Sequence, residues 1–206
     1  RLLDRGADGW ELTVIGRDVA ARAAGLEHVV EQVVDAASGG ADGPRGTVRI
    51  VAPEGFGTVF AAPCLVRVQA EHPGITVELV TSTSPLSLRG SGFDIAVTVG
   101  SATSSRLTAE ALAPYALRLY ASRDYLAAHP PIVSLSDLER HPLVFYVDAL
   151  LTVRELDLAP VLNGMHVGFG STNVFAQLEA TRSGAGIGLL HAFMAESDPR
   201  LAPVLP

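Results

Sequence analysis

Apolar residues between Val19 and Ala37 recur at alternating spacings of four and three: Val19, Ala23, Leu26, Val30, Val33 and Ala37. A 3.5-residue period is the heptad seam of a helix that pairs with another helix. An amphipathic helix lying on its own domain is the alternative. Thr13 is placed to cap this helix, although Gly16 stands where a capping box takes Glu or Gln. The run "SGGADGPRG", Ser38 to Gly46, breaks the pattern and reads as a linker. Ahead of the helix, "RLLDRGADGWE" predicts a turn between two short extended pieces.

From Thr47 the pattern alternates between strands and helices. "TVRIVAP" predicts a strand ending at Pro53, and "GTVFAAPCLVRVQAEH" a helix with Pro63 in its first turns. "ITVELV" is the next strand. "FDIAVTVG" is a third, whose nearly continuous apolar run suits a strand covered on both faces. "ALRLYAS" then feeds the short helix "RDYLAAH", and "SLSDLERHP" is another short helix with Ser136 as its cap. "LVFYV" is a strand, "HVGFGS" leads into the helix "TNVFAQLEATRSG", and "IGLLH" is a strand. "RLAPVLP" is a final edge strand. The order implies two successive α/β lobes with mostly parallel sheets, joined around Ala109–Tyr115 and again near Gly188–His191.

Composition narrows the class. The chain has 206 residues, 48% of them hydrophobic and 18% charged, which suits a folded chain with a real core. Its net charge is −7 and every Lys or Arg is Arg, so it gains little from counterion release on a phosphate backbone. The residues present are therefore not the nucleic-acid-contacting part. Cys64 is the only cysteine, which excludes an intrachain disulfide and suits a reducing cytoplasm. No apolar run reaches membrane-spanning length and no signal-peptide pattern opens the chain. Its first residue is Arg1, and a fragment is expected.

The candidates for catalysis fall away. Cys64 lies on an apolar helical stretch and reads as a buried structural thiol. The six His show no metal-ligand spacing; His72, His129 and His141 each precede Pro and suit helix ends and turns. "GAGIG", Gly184 to Gly188, follows a helix and opens a strand, the reverse of a dinucleotide fingerprint, so it reads as a C-cap turn. No enzyme activity, metal or cofactor is expected. Three hydroxyl- and Gly-rich segments do follow strands: "PEGFGT" (Pro53–Thr58), "TSTS" (Thr81–Ser84) and "GSTN" (Gly170–Asn173). Ligands of open α/β sheets gather at strand carboxyl ends, where helix starts present free N–H groups. Taken singly, Thr58, Ser82 and Thr172 read as helix caps; aimed together at one cleft, the segments read as a small-molecule site.

The order of these motifs resembles LysR-type bacterial transcriptional regulators. "DRGADGWELTVIGRDVAARA" is similar to the end of their winged helix-turn-helix and the start of their linker helix. "GTVRIVAPEGFG", "FDIAVTVG", "LYASRDYLAAHP" with "SLSDLERHPLVFY", and "EATRSGAGIGLL" followed by "LAPVLP" match their effector domain in order. The resemblance implies an α/β, two-lobe, periplasmic-binding-protein-like (type 2) effector domain preceded by a long linker helix. It places the end of the wing at 1–12, the linker helix and linker at 13–46, and the effector domain at 47–206. Lobe I then comprises 47–112 and 189–206, and lobe II 113–188. A small polar or anionic metabolite would bind between the lobes. The response would pass to promoter DNA through a missing N-terminal domain in homodimers or homotetramers, with linker helices paired along the Val19–Ala37 seam. The chain would stop short of the family's terminal segment and leave the first lobe unfinished.

Carried over by position, the effector contacts implied are Gly55, Phe56, Thr58, Thr83, Ser84, Thr98, Val99, Tyr146, Thr172 and Asn173. Thr98 departs from many similar members, which carry Arg there, so the implied pocket is less charged than is usual. A free-standing solute-binding protein of a transporter is the alternative that the fold would permit; the heptad helix argues against it.

Overall fold

A computed structural model of the chain describes residues 2–6, 9–19, 29, 33, 43–81, 92–100, 108–147 and 164–205. Leu3–Gly6 (β1) and Gly9–Leu12 (β2) pair antiparallel, with Leu3 opposite Leu12 and Gly6 opposite Gly9. These are the two extended pieces expected ahead of the helix. Helix α1 follows over residues 14–19, and residues 29 and 33 are helical too. Thr13 caps it as predicted: the Gly16 N–H donates to Thr13 Oγ1 at 3.0 Å. On the seam, Val19 is 42% exposed and Val33 63%. Ala23, Leu26, Val30 and Ala37 lie outside the described residues.

The chain divides into two compact units, one drawn from 1–51, 63–80 and 86–96, the other from 52–62, 81–85 and 97–206. The first unit is built on a three-stranded sheet with Gly46–Ala52 (β3) between Ile75–Thr81 (β4) and Ile95–Ala96 (β5). β3 and β5 run parallel, with Ile50 opposite Ile95 and Val51 opposite Ala96. The third strand is much shorter than the run "FDIAVTVG" suggested, and Ile95 is 52% exposed rather than covered on both faces. Along β4 the even-numbered residues Thr76, Glu78 and Val80 are exposed while Ile75, Val77 and Leu79 are half-buried, the period-two pattern of a strand with one wet face. Helix α3 (Ala62–Glu71) has no buried residue, and Cys64 on it is exposed. That corrects the expected buried thiol: an apolar stretch marks a buried helix face only when something packs on it.

The second unit carries five strands in the order β10–β6–β9–β7–β8, where β6 is Leu117–Ser122, β7 Leu143–Phe145, β8 Val167–Gly170, β9 Ile187–His191 and β10 Leu201–Pro203. Pairing is parallel for β8–β7–β9 and antiparallel for β9–β6–β10, so the sheet is mixed rather than mostly parallel. β10 is the edge strand expected of "RLAPVLP". Leu189 of β9 sits opposite Leu119 and Ala202 of β10 opposite Ala121, so both strands join β6 in one sheet.

Helices α4 (Arg123–Ala128), α5 (Val174–Arg182) and α6 (Ala192–Ala195) complete this unit. Its core joins Leu143, Phe145 and Leu189 of the sheet to Val174 and Leu178 of α5 and Met194 of α6. Two glycines of "GAGIG" answer close approaches. A Cβ on Gly186 (φ +146°) would lie 2.1 Å from the Pro142 carbonyl oxygen, and one on Gly188 would lie 2.2 Å from Thr181 Oγ1 on α5. The run is the turn and packing surface between α5 and β9, as its position after a helix predicted. "SLSDLERHP" folds as a 3-10 helix, Leu135–Arg140. Its start is closed by Ser134, not Ser136: the Ser134 N–H and hydroxyl donate to Asp137 Oδ2 at 2.9 and 2.8 Å. These bonds, with another from the Val133 N–H, hold the Asp137 carboxyl below its ordinary pKa.

Candidate functional site

Asn173 organises the start of α5. Its side-chain Oδ1 accepts the Ala176 N–H at 2.7 Å, so Asn173, not Thr172, is the helix cap. Thr172 is exposed beside it. The loop before the cap is fixed from behind: the Ser171 N–H donates to the Phe145 carbonyl at 3.0 Å, and Gln177 Nε2 donates to the Ser171 carbonyl at 2.7 Å. Ser171 Oγ in turn accepts the Asn173 N–H at 3.1 Å. The end of β7 and the first turn of α5 therefore hold the cap rigidly.

Facing the cap is Glu54, from the three-residue helix α2 (Glu54–Phe56) just beyond β3, which lies in the same compact unit. Asn173 Nδ2 donates to Glu54 Oε1 at 2.5 Å and the Val174 N–H donates to Glu54 Oε2 at 3.3 Å. A carboxylate at a helix start is stabilised by the unpaired N–H groups and the positive end of the helix dipole. Gly55 brings the backbone close to the same place: a Cβ there would lie 3.2 Å from Met194 Sδ and 3.5 Å from Val174 Cγ2. Gly57 begins the π-helical turn Gly57–Ala61, and a Cβ on it would stand 2.6 Å from Thr81 Cγ2. A Cβ on Gly57 would thus clash, and one on Gly55 would sit tight against Met194.

Aromatic rings run outward from Gly55. Phe56 and Phe60 lie 5.5 Å apart, Phe60 and Phe193 5.0 Å, Phe193 and His191 5.4 Å in a stacked pair, and His191 and Tyr115 5.3 Å. Tyr146 is buried beside Phe145. Burial, then Tyr115, then the Glu54 charge push its phenol up to about 12, so it stays protonated. Burial pushes His191 down to about 4, so it is neutral near pH 7, and among the described residues its buried Nδ1 has no hydrogen-bond partner.

Of the residues expected from sequence, Gly55, Phe56, Tyr146, Thr172 and Asn173 come to this region. Thr58 and Thr98 are exposed and Val99 is half-buried; among the described residues no hydrogen bond ties these three to the cap. Thr83 and Ser84 lie outside the described residues. Glu54, Phe60, Tyr115, His191 and Phe193 were not anticipated. Glu54 was legible in principle, as an acid at a strand-to-helix turn; the Phe60–Phe193 and Tyr115–His191 contacts join remote stretches and leave no local signal.

An open sheet with helix starts at strand ends, divided into two α/β units, is the architecture of an effector-binding domain. The comparisons agree: the LysR substrate binding domain matches residues 41–206, and the chain belongs to the LysR family. Among curated relatives it is similar to the HTH-type transcriptional regulator CrgA of Neisseria meningitidis, 27% identical over 167 residues, covering 79% of this chain and 55% of that protein. It is also similar to an HTH-type transcriptional regulator of Xanthomonas campestris, 27% identical over 141 residues, covering 68% of this chain and 41% of that protein. The chain thus spans about half or less of these relatives' length. They are transcriptional regulators, not enzymes and not transporter components. In fold it resembles the full-length Vibrio cholerae virulence activator AphB (TM-score 0.68, 24% identity, 100% of this chain and 72% of that one). The regulatory domain of CrgA from Neisseria meningitidis is similar as well (TM-score 0.65, 24% identity, 79% and 82%). No helix among the described residues is long and apolar enough to cross a membrane.

Proposed function

We propose that this chain is the effector-sensing and oligomerising part of a LysR-type transcriptional regulator, binding a small polar metabolite beside the start of α5. The observation that carries the reading is the convergence of Gly55, Tyr146 and Asn173, from three distant stretches of sequence, on one helix start. The remaining positions carried over from the resemblance complete the contact set. Residues 13–46 supply the linker helix and the linker, the helix pairing with a second subunit in a cytoplasmic homodimer or homotetramer. The relatives' HTH designation supplies the output: ligand state is passed to promoter DNA through a module of that kind. An effector can drive such a response only through its differential affinity for two conformations of the protein.

Calorimetric titration of a metabolite panel against the chain tests this. Binding of one member, weakened in Asn173→Ala, is the expected result. If no metabolite binds while the full-length regulator still responds to the same panel in a reporter assay, the site is not the sensor.

A further inference from the structure

The carboxylate of Glu54 already fills the place where the start of α5 attracts an anion. Of the first-turn donors, the Val174 N–H is committed to Glu54 Oε2 and the Ala176 N–H to Asn173 Oδ1, while the Asn173 amide is spent on Glu54 Oε1. Among the described residues Glu54 forms no ion pair with Arg or His, so its charge is met by dipoles alone.

Among the described residues the neighbouring groups supply no positive charge either. His191 is neutral near pH 7, and the Tyr146 phenol is protonated and close enough to feel Glu54. Next along the chain, a Cβ on Gly55 would lie 3.4 Å from the Phe193 ring, and Phe60, His191 and Tyr115 continue from Phe193. Phe60 and Tyr115 are 45% and 42% exposed, so part of this ring surface is open to a ligand. An anion brought here would meet a carboxylate with no cationic partner among the described residues, and donors already in use. A cation would meet that carboxylate and the negative faces of the rings.

We propose that Glu54 is the specificity-determining residue of this site and that the ligand taken beside α5 carries a protonated amine, not a carboxylate. This rests on the sensing role proposed above and narrows the polar or anionic metabolite implied by the family resemblance to a cationic one.

The test uses a matched pair of probes, benzylamine and benzoate, titrated into the ¹⁵N-labelled chain and into Glu54→Gln at neutral pH. In the wild type, benzylamine shifts the Val174 amide and the Asn173 side-chain amide, and benzoate at the same concentration leaves them unmoved. Glu54→Gln, nearly isosteric, weakens benzylamine by about tenfold or more and admits benzoate at the freed donors. The inference is overturned if benzoate shifts these resonances in the wild type as strongly as benzylamine does. It is also overturned if neither probe shifts them at ~10 mM, the upper end of weak fragment binding, or if Glu54→Gln leaves the preference unchanged. The comparison of the two probes in the wild type needs no variant, so a poorly folded Glu54→Gln does not rescue the idea. The two readings fail separately. An anionic metabolite that binds and depends on Asn173 ends this inference and keeps the sensor; benzylamine bound here with no ligand-dependent transcription does the reverse.

Discussion

Asn173 bonds in two directions at once: its Oδ1 accepts the Ala176 N–H at 2.7 Å while its Nδ2 donates to Glu54 at 2.5 Å, across 119 residues of sequence. One amide thereby caps α5 and holds the segment after β3 against it. Losing it removes both bonds. Asn173→Ala is expected to destabilise the chain by about 1–2 kcal/mol. Asn173→Asp keeps the cap but sets two carboxylates against each other, so it should cost less in a Glu54→Gln background than alone. Urea unfolding of the four variants reads the coupling.

Gly188 on β9 and Thr181 on α5 are packed to the limit. Gly188→Ala, whose Cβ would stand 2.2 Å from Thr181 Oγ1 and 3.1 Å from Thr181 Cγ2, should cost about 1–3 kcal/mol. Adding Thr181→Ala removes both clashing atoms, so the double variant should lose less than the sum of the two singles in thermal or urea unfolding.

His191 sets an acid limit. Its folded pKa of about 4 lies below the unfolded value of 6.5, so the unfolded chain binds more protons between them. Its contribution is full above the unfolded value and is lost as pH falls toward the folded one, at up to ~1.4 kcal/mol per pH unit. His141 is also held down by burial and adds in the same direction. Urea midpoints at pH 7 and pH 5 should fall in the wild type and fall less in His191→Phe, which keeps a ring against Phe193 and Tyr115. An equal drop in both would remove His191 from the account.

Cys64, exposed on α3, should react promptly with an aromatic disulfide reagent in the native state, releasing one equivalent of thiolate per chain. Reaction only after denaturant is added would return it to the interior.

The seam gives the last prediction. Leu26→Asp with Val30→Asp puts charges into the heptad run of the sequence between Val19 and Ala37, and light scattering should show the oligomeric mass falling by half or more. An unchanged mass would mean that the seam serves another purpose.

The sequence by itself determined the elements and their order. Apolar alternation in "ITVELV", the Thr13 cap and the turn after α5 are local consequences of backbone sterics and hydrogen bonding, and each stands where the pattern placed it. The site was half legible, because Gly55, Tyr146 and Asn173 lie at strand ends and helix starts, where the local rule points. What only tertiary structure decided were the pairings across distance. The mixed order of the five-stranded sheet, the shortness of β5, the exposure of Cys64 and the seating of Glu54 on Asn173 each depend on which remote segment arrives as a neighbour. Burial and electrostatics are properties of that neighbourhood, and a residue's own identity does not carry them.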